Sequence, residues 1–115
     1  MTRRLPNAKE LAFALKALPL PGGRKLHFLR AHRQAPGKAL TAAKLAKAAK
    51  YKSWHAINLH YGLLAESIGQ VVGRKGAGLS LLLEFAEPKS ITNEQWVLVM
   101  RPEFVSALRM AGWVK

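Results

Sequence analysis

Apolar residues in the first third of the chain recur at helical spacing. Leu11, Ala14, Leu15 and Leu18 share one face, Asn7 stands ahead of them as an N-cap, and Glu10 three residues on completes a box-like pairing. Pro19 stops that run, and Leu20-Pro21-Gly22-Gly23 reads as a turn. Arg24 to Gln34 reads as a second helix with Leu26 and Leu29 inward beside the stem of Arg33, and Ala35-Pro36-Gly37 breaks it. These two helices form an N-terminal part over 7–34. Thr41 then caps a short alanine-rich helix over Ala42 to Ala49. Lys50-Tyr51-Lys52 makes a tight connection, and Ser53 caps a longer helix from Trp54 to about Gly69. Ile57, Tyr61, Leu64 and Ile68 fall on its inner stripe, with His55, Asn58, Leu59, Gly62 and Glu66 opposite. A short helix, a brief turn and a longer capped helix make the outline of a helix-turn-helix over 40–69.

After Gly69 the period changes from about four to two. Leu79, Leu81, Leu83 and Phe85 alternate with Ser80, Leu82 and Glu84, which predicts a strand; Pro88 to Asn93 is turn-like, and Trp96 to Met100 predicts a second strand. The pair reads as a β-hairpin over 79–100, and helices followed by a hairpin are the winged variant of the motif. Pro102 at a first helical position and Gly112 just past the end bracket a last helix over 102–111, with Phe104, Val105 and Leu108 inward. Trp113 and Val114 should fold back on the core. The expected fold is therefore a single domain over 1–115, mainly α with a small β-hairpin, winged helix-turn-helix-like.

Charge narrows the function. Nineteen Lys and Arg stand against six Glu, Asp is absent, and the formal net charge is +13. Between Glu10 and Glu66 there is no acid, yet that stretch holds Lys16, Arg24, Lys25, Arg30, Arg33, Lys38, Lys44, Lys47, Lys50 and Lys52 and all four histidines. Such a one-sided field repels itself unless an anion neutralises it, and the phosphate backbone is the commonest partner. No apolar run approaches the ~20 residues of a membrane span. After Arg3 and Arg4, residues Pro6, Asn7, Lys9 and Glu10 interrupt any signal-peptide apolar region, so a cytoplasmic protein is expected. Without cysteine there is no disulfide, thiolate zinc site or cysteine nucleophile.

In a helix-turn-helix the first residues of the second helix face base edges. Here those are Ser53, Trp54, His55 and Asn58, and the Asn58 amide suits the N6 and N7 edge of adenine. Lys44, Lys47, Lys50 and Lys52 flank that helix and would hold phosphates, setting orientation without reading sequence. Asn58 has an alternative reading as a buried residue bonded to nearby backbone, while Trp54 and Tyr61 are expected in the core, with a stacking platform as the alternative for each. Gly73-Arg74-Lys75-Gly76 reads in three ways: a basic hairpin turn placing Arg74 and Lys75 at phosphate, a flexible link, or the GxxG loop with which KH domains clamp a single strand. The last needs a helix directly after the loop. Catalysis has little support. The acids are scattered, and His27/His32 and His55/His60 are each five apart, off the i, i+4 register of a helical metal pair. The histidines are expected at phosphates or on helix surfaces, with no metal, no cofactor and no catalytic residue.

The run Leu40 to Ser53, followed by Ala56-Ile57-Asn58-Leu59-His60-Tyr61-Gly62-Leu63-Leu64, resembles a module found ahead of the nuclease domain in bacterial McrA-like, modification-dependent HNH endonucleases. The tail from Trp96 to Glu103, with Ala107-Leu108 and Gly112-Trp113, is similar to that module's closing strand and helix. The resemblance implies DNA binding, including of modified bases, with Asn58, Tyr61 and Gly62 at the matching positions. His60 stands where the family has Gln and Lys50 where it has Gly, and no nuclease domain is expected.

The leading expectation is a non-enzymatic protein that binds duplex DNA, with a role in phage defence or modified-DNA reading. A small basic inhibitor or adaptor of anti-CRISPR or anti-restriction type, gripping a protein or nucleoprotein partner, is the alternative. A KH-like single-strand RNA binder is the minor one.

Overall fold

A computed structural model of the chain describes residues 5–74, 76, 78–86 and 97–114. In chain order these form α1 (Ala8–Ala17), α2 (Gly23–Gln34), β1 (Ala39–Thr41), α3 (Ala42–Ala48), α4 (Trp54–Val72), β2 (Leu83–Ala86), β3 (Val97–Met100) and α5 (Pro102–Met110). The result is a mainly helical α+β fold with a small antiparallel sheet.

The caps read from sequence are all in place. The Asn7 side chain accepts from the Glu10 amide at 2.9 Å, and the Glu10 carboxylate accepts from the Asn7 amide at 3.1 Å. This capping box satisfies two amides that helix geometry leaves without partners. Thr41 accepts from the Lys44 amide at 3.2 Å, and Ser53 from the His55 amide at 3.1 Å. Pro102 opens α5, and Gly112, at φ 80°, reverses the chain behind it. The Trp113 amide then donates to the Leu108 carbonyl at 3.0 Å, and Trp113 and Val114 are buried, as expected.

One continuous core joins these elements. Leu11, Ala14 and Leu15 of α1 pack against Phe104, Ala107 and Leu108 of α5 and against the inner stripe of α4, where Ile57, Tyr61, Ala65 and Ile68 are fully buried. Leu64 is only partly buried at the edge of that stripe.

Three features depart from the sequence reading. First, β1 is an added strand. Ala39, Leu40 and Thr41 pair with Val99, Leu98 and Val97, so the sheet has the order β1-β3-β2 and the expected hairpin forms only two of its three strands. Second, α4 does not stop near Gly69. It continues to Val72, and Gly73 at φ 74° is the left-handed cap. Gly69 serves packing instead, because a Cβ there would lie 2.9 Å from the Arg74 carbonyl oxygen and 3.5 Å from Leu81 Cδ1.

Third, the strand expected from Leu79 begins only at Leu83. Gly78–Leu81 is a 3₁₀ turn, and Leu81, Leu82 and Leu83 are buried in succession while Phe85 is 48% exposed. Arg101 explains the turn. Its guanidinium donates to the Leu81 carbonyl at 2.7 Å, which satisfies that group without a strand partner, and its amide donates to the Leu82 carbonyl at 2.9 Å, one register step beyond the Leu83–Met100 pair. Glu103 sits 3.2 Å from the same guanidinium, which is how a buried arginine is tolerated. The turn expected over Pro88–Asn93, and Trp96, lie outside the described residues.

Candidate nucleic-acid interface

The short helix α3 owes its position to a buried side, Ala42, Leu45, Ala46 and Ala49, which leaves Lys44 and Lys47 exposed three residues apart. It ends in a backbone motif that turns the chain sharply into α4. The Tyr51 amide donates to the Ala46 carbonyl at 2.8 Å and the Lys50 amide to the Lys47 carbonyl at 3.3 Å, the paired bonds of a Schellman end. Lys50 occupies the left-handed position at φ 63°. An L residue there is strained relative to glycine. Lys50, Lys52 and Ser53 are all exposed around this turn.

Ser53 and His55 form a unit at the start of α4. The Ser53 hydroxyl lies 2.8 Å from His55 Nδ1, and the His55 ring stacks on Trp54 with centroids 3.9 Å apart and planes at 20°. Trp54 is 39% exposed, contrary to the core position expected for it; its indole lies against His55 at the entrance of the helix rather than under it. Asn58 is half-buried, one turn further on. Lys44, Lys47, Lys50, Lys52, Ser53, His55 and Asn58 are therefore gathered along α3, its turn and the first turns of α4.

The outer face of α4 beyond His55 is less polar than a base-reading surface needs. Leu59 is 59% exposed and Leu63 50%. Arg74 does not join the cluster. It follows the far end of α4, roughly 27 Å along the helix from Trp54, where its amide donates to the Gly69 carbonyl at 2.7 Å. The Gly73–Arg74 stretch is the closing loop of α4 rather than a hairpin tip. The 3₁₀ turn and strand that follow are not the helix a KH module requires. Lys75 lies outside the described residues.

The largest correction concerns the histidines. His32 is wholly buried, with Nε2 at 2.7 Å from the Leu98 carbonyl oxygen and Nδ1 at 2.7 Å from the Tyr61 hydroxyl. A carbonyl has no proton to give, so Nε2–H is the donor and Nδ1 accepts from the tyrosine. The ring is neutral and held in one tautomer. Burial pushes its pKa down, against the opposing pull of the backbone acceptors at Leu98 and Lys38. Burial likewise drives the Tyr61 hydroxyl well above its ordinary value.

His60 is half-buried against Tyr51 and Phe28, with ring centroids 5.3 and 6.4 Å away, and its pKa is lowered by burial and by Lys25. His27 and His55 are exposed. The sequence signal for His32 was its place one turn after Phe28, inside the buried stripe, outweighed by the basic character of the segment around it.

No family model, curated protein or solved structure matches this chain. The site therefore stands on its own geometry. Among the described residues no three His, Asp or Glu side chains are close enough together to hold a metal ion, and no helix is long and apolar enough to cross a membrane.

Proposed function

We propose that this chain binds nucleic acid, with duplex DNA as the ligand, through α3, the Lys50 turn and the first turns of α4. The observation that carries the reading is the exposure of Lys44, Lys47, Lys50 and Lys52 with Ser53 and His55 along α3, its turn and the start of α4, in a stretch with no acid from Leu11 to Ala65. The order of elements supports a winged helix-turn-helix, since two strands follow α4 and a third precedes α3. In this reading the four lysines hold backbone phosphates, and His55 and Asn58 approach base edges. In the same reading Leu59, 59% exposed, would meet a thymine methyl group, which is an apolar contact of the major groove.

Fluorescence anisotropy across a salt series tests the proposal, with unmodified duplex, methylated duplex, single-stranded DNA and RNA as ligands. The resemblance to McrA-like modules is the reason for the methylated arm. Duplex should bind best, with affinity falling by a slope of about 0.9 per phosphate contact. Unchanged binding in the triple variant Lys44→Gln, Lys47→Gln, Lys52→Gln would reject the surface.

A second reading, an adaptor or inhibitor that grips a protein, draws on the exposure of Leu59 and Leu63 on the same helix. Under that reading Leu59→Ser with Leu63→Ser abolishes co-purification of a stoichiometric protein and leaves the salt slope on DNA unchanged.

A further inference from the structure

α2 carries a second basic group, turned away from the helix-turn-helix. Phe28 meets the Tyr51 ring at 6.3 Å, and the Arg24 guanidinium lies over that ring at 5.6 Å, which sets the α3–α4 turn against this side of α2. At about 100° per residue, Arg30, Arg33 and Gln34 lie ~120–160° round the helix from Phe28. With Val114 behind α5 they line an open depression of about 320 Å³.

Arg33 is the informative residue. Its side chain is half-buried, and its Nε is shielded from solvent with no hydrogen-bond partner among the described residues. A guanidinium N–H removed from water without an acceptor loses its hydration and gains nothing in return. Arg101 shows the contrast, since its buried guanidinium has both a carbonyl and a carboxylate. Around Arg33 the neighbouring groups on α2 are a second guanidinium and an amide, all able to donate. A pocket furnished with forked donors and open on one side suits an oxyanion with several oxygens.

We propose that Arg30, Arg33 and Gln34 form a phosphate site separate from the helix-turn-helix edge. Arg33 holds two phosphate oxygens through its two terminal guanidinium nitrogens, Arg30 supplies further charge and Gln34 a neutral N–H. The phosphate is either free or part of a nucleic-acid backbone. In the second case the protein touches nucleic acid on two sides, which deepens the function proposed above.

Proton–nitrogen correlation spectra of the arginine Nε–H groups test the site directly. Inorganic phosphate should shift the Arg33 signal saturably, whereas chloride at equal ionic strength should not. Arg33→Lys keeps the charge but loses the fork and should bind phosphate about tenfold more weakly, followed through the Arg30 signal. A short duplex with 5′-hydroxyl ends, added to the Lys44/Lys47/Lys52 triple variant, separates the sources. A shift there assigns the site to backbone phosphate, and a shift with inorganic phosphate alone assigns it to a free one. No saturable shift with either probe, or one that survives Arg30→Gln combined with Arg33→Gln at the Gln34 side-chain amide, overturns the proposal. Because the readout is local to α2, failure of the duplex reading at α3 and α4 would leave this result interpretable.

Discussion

At the end of α3 the residue in the left-handed conformation is Lys50, with φ 63°; at the end of α5 it is Gly112, with φ 80°. The surrounding backbone is otherwise alike. Tyr51 reaches back to Ala46 at 2.8 Å in one, and Trp113 to Leu108 at 3.0 Å in the other. Both returns seat an aromatic residue against the core, Tyr51 partly and Trp113 fully. Glycine adopts the required conformation without penalty, so the α5 end is the locally stable solution. The α3 end keeps a cation where glycine would hold the turn better. Local stability and the placement of charge are separate demands, and they part at the exposed lysine turn.

The largest effect should come from moving the lysine solution to the stable end. Gly112→Lys has space for its Cβ, so its cost is the left-handed backbone alone, about 1–2 kcal/mol. Urea unfolding would measure it, and duplex affinity at low salt should hardly change. Loss of less than a few tenths would mean that the two ends are not equivalent.

Charge removal on the other side comes next. The triple variant of Lys44, Lys47 and Lys52 to Gln should leave stability near that of the parent and lower the salt slope on duplex by about 3. Lys50→Gly should act in opposite directions on the two properties. It should raise stability by about 1 kcal/mol and reduce the salt slope by about 1. A variant that gains stability and keeps the full slope would show that Lys50 holds no phosphate.

The smallest effect separates the ends by pH. His60 packs against Tyr51 at the α3 end, with ring centroids 5.3 Å apart. His60 and His32 both have folded pKa values below the ordinary 6.5. The unfolded chain therefore binds more protons than the folded one just below pH 6.5. Stability is fully present above that pH and falls as the pH is lowered toward the folded values. Urea midpoints between pH 7.5 and pH 5 should decline, and His60→Gln should remove part of the decline. A flat profile would contradict both burial assignments.

The caps were the most legible part of the chain. Asn7 with Glu10, Thr41, Ser53, Pro102 and Gly112 all mark ends found in the structure, because a cap depends on a residue and its near neighbours. β1 was not legible, since Ala39-Leu40-Thr41 is too short to show a period and forms only by pairing with β3, far along the chain. The leucines from Leu79 to Leu83 suit several buried conformations, and the choice is made by Arg101, almost twenty residues away. The same limit hid His32. Its basic neighbours suggested phosphate, while its partners, Tyr61 and Leu98, come from α4 and β3. The lysine cluster was visible in advance because exposed charge on a short capped helix needs no distant partner. The phosphate site proposed on α2 was not, since the isolation of Arg33 Nε is a property of packing.

His32 has one more consequence, a mechanical one. A ring fastened at both nitrogens cannot turn about its bond to Cβ without releasing Leu98 and Tyr61 together. α2, α4 and β3 meet at that ring like parts fixed by a single pin. A force applied to α4 from outside would therefore be transmitted to the strands, where a side chain free to rotate would have absorbed it.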